Sequence, residues 1–172
     1  MFIIFAALIF WGLGNSVQLQ ASSLEVHFSP DGGCTQAICE TLAAAKQTIL
    51  FQAYSFTSRP IAKALAEAKG RGVRVTAIVD KENEGPGYNQ VKTLVRAGIP
   101  VLVDFLPTIA HNKVIIVDES TVITGSFNFT TAAEHDNTEN LLIIRDDPNL
   151  ASKYKANFEA RLQLSRPFAG GQ

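Results

Sequence analysis

The sequence predicts an α/β fold, because short extended runs rich in β-branched and apolar residues alternate with segments that carry helical periodicity and helix-boundary residues. Residues 24–28 read as extended, 35–46 as helical, 48–56 as extended, 60–71 as helical and 73–80 as extended. A chain of 172 residues suits one domain with a full core, and 47% hydrophobic with 18% charged residues excludes both a disordered chain and a multispan membrane protein.

Each element has a local reason. Ser58 before Arg59 and Pro60 is a helix start with proline in the first turn, and Gly70 and Gly72 bracket its stop. Residues 81–88 (KENEGPGY) form a polar, Gly/Pro-rich loop, either a plain connection or the border of a substrate groove, before a helix over 89–97 and an extended run over 101–105. Residues 113–118 and 121–124 are β-branched runs around Glu119 and Ser120, which make a hairpin. Residues 141–145 read as a buried strand, 148–164 as a closing helix and 167–172 as a loose tail. The domain itself is expected over 24–166.

The first 24 residues carry no charged side chain, and residues 2–13 are nearly unbroken apolar sequence. That is the size of a signal-peptide core and shorter than the roughly 20 residues of a membrane span. Residues 1–21 are therefore expected to be a signal peptide cleaved after Ala21, which places the protein in the periplasm or outside the cell. The absence of a basic side chain before the apolar run leaves an uncleaved N-terminal anchor, and so a membrane-tethered form, as the alternative. Cys34 and Cys39 suit export, since an even count can close into a disulfide. On a regular helix the two would point apart, so a bridge requires Cys34 to precede the first helical turn; otherwise both are free thiols.

A net charge of −1 and a pI near 6.3 leave no global polycation, so any grip on a phosphate backbone must be local. Lys63, Lys69, Arg71, Arg74, Lys81, Lys92, Arg96 and Lys113 either gather into one basic surface or are solvated helix faces.

The stretch from His111 to Asn128, HNKVIIVDESTVITGSFN, carries the chemistry. On a strand, residues two apart share a face, so His111 and Lys113 project together, and Ser126 and Asn128 do so beyond the hairpin. Gly125 lets a backbone pass close to a bulky neighbour. A phosphodiester needs a nucleophile, donors and cations for its non-bridging oxygens, and an acid for the leaving oxygen. Neutral imidazole can be the nucleophile, and Glu139, just before the strand at 141–145, is the candidate carboxylate for its second ring nitrogen. Asp118 has the opposite parity and is expected to brace the hairpin by accepting hydrogen bonds. His27 and His135 have no assigned role.

The spacing H-x-K-x(4)-D-x(6)-G-S-x-N, carried by His111, Lys113, Asp118, Gly125, Ser126 and Asn128, resembles the signature of the phospholipase D superfamily, and residues 128–140 resemble its small bacterial endonucleases of the Nuc type. The resemblance implies a mixed β-sheet flanked by helices on both faces. It also implies an active site of His111, Lys113, Ser126, Asn128 and Glu139. Most members carry two signatures, one histidine attacking and the other protonating the leaving group. One signature therefore implies a homodimer with the active site on its two-fold axis. No carboxylate cluster at metal-ligand spacing accompanies the motif, so neither a metal nor another cofactor is expected. The substrate expected first is DNA. A phospholipid is the alternative, and a catalytically inactive, membrane-tethered binding protein is a third reading.

Overall fold

The structure, a computed structural model, describes residues 21–85 and 89–169; the apolar leader and residues 86–88 of the Gly/Pro-rich loop lie outside the described residues. Strands β1 (Ser23–Ser29), β2 (Thr48–Ala53), β3 (Arg74–Asp80), β4 (Val101–Asp104), β5 (Lys113–Val117), β6 (Thr121–Gly125), β7 (Glu139–Arg145) and β8 (Arg166–Pro167) form one sheet in the order β1-β7-β6-β5-β2-β3-β4-β8. The sheet is mixed: β2, β3 and β4 run parallel, and the remaining pairs are antiparallel.

Helices α1 (Cys34–Ala44), α2 (Arg59–Gly70) and α3 (Val91–Arg96) bury their apolar stripes against one face, in a cluster with Ile49, Phe51, Val75 and Ile115. Helix α5 (Pro148–Leu164) covers the other face, with Ala151 and Phe158 against Ile78, Val114, Ile116, Val122 and Ile144. The short α4 (Thr131–His135) packs beside β1. Coverage on both faces explains why β5 is buried along its whole length and reads as a continuous apolar run after Lys113.

Helix starts follow local chemistry. The Ser58 hydroxyl accepts from Ile61 N, Thr130 caps α4 through Ala133 N, and Asp147 caps α5 through Leu150 N. For α1 the capping residue is distant, because the left-handed Gly33 at its start offers no side chain. The Glu134 carboxylate instead accepts from Gly33 N at 3.1 Å and Thr35 N at 2.7 Å. This supplies an oxygen acceptor and a negative charge at the positive end of the helix.

Two open alternatives are decided and one expectation needs correction. Cys34 is the first residue of α1, so both cysteines are helical, about 140° apart around the axis, and both are free. Cys34 is fully buried, and burial pushes its thiol up to about 11. Of the segment taken as a loose tail, 167–172, Pro167 pairs with Leu102 as the second residue of β8 and Phe168 packs against the core, while residues 170–172 lie outside the described residues. The basic residues do not form one surface: Arg74 opens β3 at the end of the sheet opposite Lys81, Arg71 donates to Leu42 O, and Lys63 pairs with Glu67.

Asp118 lies at the turn of the β5–β6 hairpin, five residues and about 17 Å of strand from Lys113. Its carboxylate accepts from Lys46 N, Gln47 N and Thr48 N at 2.8–2.9 Å, and so ties the hairpin to the start of β2. Burial raises its pKa, but the three backbone donors outweigh that and hold it below the usual value. A lowered native pKa means that this stabilisation is present above the unfolded carboxylate range near pH 4 and is lost as pH falls through the native value. Asp118→Asn is expected to lower unfolding free energy at pH 7 by about 2 kcal/mol, with the deficit shrinking below pH 4, as read by urea denaturation across pH.

Candidate active site

The ends of β1, β2, β3 and β6 and the starts of β5 and β7 meet at one end of the sheet, where His111, Lys113, Ser126, Asn128 and Glu139 are placed. Two anchors locate the approach to β5. The buried Asp80 carboxylate accepts from Ala110 N at 2.6 Å, and Tyr54 N donates to Asn112 O at 2.9 Å. His111 is held between them as an exposed side chain, while Lys113 two residues on is buried.

The shared face expected for this pair takes the form of a common aromatic neighbour. The Tyr54 ring lies 4.6 Å from the His111 ring, and the Lys113 ammonium lies 5.1 Å from the Tyr54 centroid, within cation–π range. Lys113 Nζ also donates to His111 O at 2.7 Å. Burial lowers the Lys113 pKa, and the Glu139 carboxylate, close enough for its charge to be felt, partly opposes this. Glu139 itself accepts from Asn137 Nδ2, and its backbone N–H donates to Ser29 Oγ. Among the described residues no hydrogen bond joins Glu139 to the His111 ring.

Ser126 and Asn128 are positioned by their neighbours. Phe127 and Phe129 are buried, so Ser126 and Asn128, which alternate with them, turn to the other side of the segment. Phe129 lies 5.0 Å from Phe51, which lies 4.9 Å from Phe56, and the Phe129 carbonyl accepts from Thr57 N and Ser58 N. Ser126 Oγ accepts from Asn140 N and Asn140 Nδ2. Asn128 Oδ1 is buried with no partner among the described residues. A buried, unpaired amide oxygen is costly in a finished structure and points to a partner supplied from outside the free chain.

Gly125 is required by geometry. Its φ is +147°, and a Cβ there would stand 2.3 Å from Asn140 O, the carbonyl that accepts from both Ser126 N and Phe127 N.

Tyr54, Asp80, Asn83 and Ser29 escape sequence reasoning. Asn83 Nδ2 donates to Tyr54 O at 2.6 Å, so the 3-10 turn over residues 81–84 helps to fix the tyrosine. The polar ends of β1, β2 and β3 are their only signal. The other histidines are engaged elsewhere, His27 with Glu25 and Gly32 O and His135 with Asp31. His135 and Asp31 border a cleft of about 610 Å³, which none of the motif residues lines. Among the described residues no group of three or more His, Cys, Asp or Glu side chains could hold a metal ion.

An imidazole beside a buried ammonium, with a hydroxyl, a carboxamide and a carboxylate at the same sheet end, is a set suited to phosphodiester hydrolysis. Comparisons with known proteins agree. Residues 38–162 match the family described as cardiolipin synthase, PLD-like domain. The chain is 42% identical over 147 residues to a phospholipase D of Rickettsia bellii, covering 86% of this chain and 73% of that protein. It is 36% identical over 110 residues to the human mitochondrial cardiolipin hydrolase, covering 64% of this chain and 44% of that one. The crystal structure of Nuc from Salmonella typhimurium, a phospholipase D family member, superposes with a TM-score of 0.81 at 38% identity, covering 86% of this chain and 99% of Nuc. The chain belongs to the phospholipase D superfamily and is a phosphodiesterase of that superfamily.

Gly125→Ala is expected to lower stability by about 2 kcal/mol and to cut turnover more than that loss of folded protein explains, because the Asn140 carbonyl that holds Ser126 must move. Urea denaturation and turnover by the folded variant check this.

Proposed function

We propose that the protein is an exported, metal-independent DNA endonuclease that works through a covalent phosphohistidine on His111, in a homodimer whose active site the two subunits share. The observation that carries the mechanism is the histidine inventory: the site holds one imidazole, and the other two are paired with carboxylates outside the motif cluster. In-line displacement at phosphorus needs both a nucleophile and an acid for the leaving oxygen. A two-fold axis through the site supplies the second imidazole from an identical chain.

The His111 imidazole forms a bond to phosphorus while the bond to the leaving alcohol breaks, and that oxygen takes a proton from the imidazolium of the second subunit's His111. Water then attacks phosphorus and breaks the phosphorus–nitrogen bond, and its proton returns to the second imidazole. Lys113, Ser126 and Asn128 of both subunits hold the non-bridging oxygens, and Glu139 orients the attacking ring in the assembled site. Asp118, at the far end of β5, is structural, and Gly125 is a backbone requirement.

DNA is favoured as substrate by the match that spans 99% of Nuc. A phospholipid is the second reading. The loop between β4 and β5, which leads into His111, exposes Phe105, Leu106 and Ile109, an apolar rim suited to lipid.

Purified protein lacking the leader is expected to nick supercoiled plasmid in excess EDTA, and His111→Asn is expected to lose at least about three orders of magnitude in rate while keeping the wild-type melting temperature. Cleavage that needs added metal, or an active His111→Asn, would sink the mechanism. Hydrolysis of phospholipid vesicles without nicking would favour the lipid reading.

A further inference from the structure

Gln52 lies on the central strand β2, one residue from its site end, on the face covered by α5 and opposite Val114 of β5, and is 3% exposed. Its Nε2 has no hydrogen-bond partner among the described residues. Burying an amide without a partner weakens a fold, and an apolar residue would serve better at this position if packing were its only task. The amide borders a pocket of about 190 Å³ whose other lining residues are Asn112, Val114, Lys153, Tyr154 and Asn157.

The lining is rich in donors and free of carboxylates: an ammonium, three carboxamides and a phenol around one valine. Such a set suits an oxyanion. Lys153 differs from its neighbours on α5, since Lys155 is paired with Glu119 and Arg161 with Asp104, whereas no ion pair holds Lys153 among the described residues. The pocket also borders the chain segment that carries His111. Asn112 follows His111 directly and its carbonyl is fixed by Tyr54 N, so the segment that presents the imidazole at the sheet end also borders this pocket on the α5 face.

We propose that this pocket is a second phosphate subsite, which holds the backbone phosphate flanking the one under attack, with Lys153 as the charge and the Gln52 amide as a buried donor. The assignment rests on the nuclease reading, in which each phosphodiester inside a nucleic-acid strand has another one nucleotide away. Gln52 and Lys153 act on binding and not on the reacting atoms.

The test compares a single-phosphate substrate, bis(4-nitrophenyl) phosphate, with a single-stranded DNA 12-mer, using the dimeric protein and its Gln52→Leu and Lys153→Gln variants. The expected result is a KM for the 12-mer raised about tenfold in each variant relative to KM for the small diester, with kcat on the 12-mer little altered. For Lys153→Gln the salt dependence of DNA binding should lose about 0.7 in slope, the loss of one phosphate contact on a single strand. Gln52→Leu should melt at or above the wild-type temperature, which shows that the fold does not need the amide.

A wild type that cuts DNA while both variants keep the wild-type ratio of KM values overturns the subsite alone. A wild type that hydrolyses the small diester and leaves DNA intact overturns the nuclease reading and the subsite with it. A shift seen only with diphosphatidylglycerol vesicles assigns the second phosphate to a lipid and overturns the nucleic-acid form. Dissociation of Lys153→Gln into monomers on sedimentation marks the pocket as a subunit contact and likewise overturns it.

Discussion

Phe51, Phe56 and Phe129 pack ring against ring where the central strands end, and the placement of the site depends on that contact. Phe51 belongs to β2, Phe56 follows it, and Phe129 follows β6, so the cluster pulls two chain segments beyond the sheet into register with each other. Each buried phenylalanine contributes about 1.5–3 kcal/mol. Burial of Phe127 and Phe129 also decides that Ser126 and Asn128 turn the other way. The polar groups of the site are thus aimed by apolar contacts that do no chemistry themselves.

The groups so placed are poor choices for stability. Lys113 is buried beside the His111 carbonyl and the Tyr54 face, and that burial lowers its pKa against the opposing charge of Glu139. Asn128 Oδ1 and Gln52 Nε2 are buried without partners among the described residues; Asn128 belongs to the motif and Gln52 pairs with Val114 beside the His111 segment. Unpaired polar groups confined to one end of a well-packed sheet are the pattern expected when the missing partners are ligand atoms. At the other end of the same strands the polar groups are satisfied: Asp118 accepts three backbone hydrogen bonds, Lys155 meets Glu119, and Arg145 meets Glu25.

Much of the fold was legible because burial imposes simple periods. The β5–β6 hairpin and the span of α5 follow from β-branched runs, a turn and a proline-led helix start, and the opposite parity of Asp118 marked it as structural before its partners were visible. The choice between a disulfide and free thiols, and the order of the tail at residues 167 and 168, were decided by tertiary contacts. The cap that Glu134 provides across about 100 residues lets α1 begin at Cys34, and pairing with β4 turns Arg166 and Pro167 into an edge strand. Neither partner is close in sequence, so no local pattern announces it.

The sequence by itself determined the chemical inventory, the alternation of strands and helices, and the family signature, because residue identity and spacing along the chain are all that these require. Only the tertiary structure decided that Tyr54 joins His111 to Lys113, that Asp80 fixes the start of the His111 segment, and that Gln52 is left unpaired beneath it. These contacts link segments about 30 to 60 residues apart, and packing in three dimensions, which no short sequence window encodes, is what brings them together.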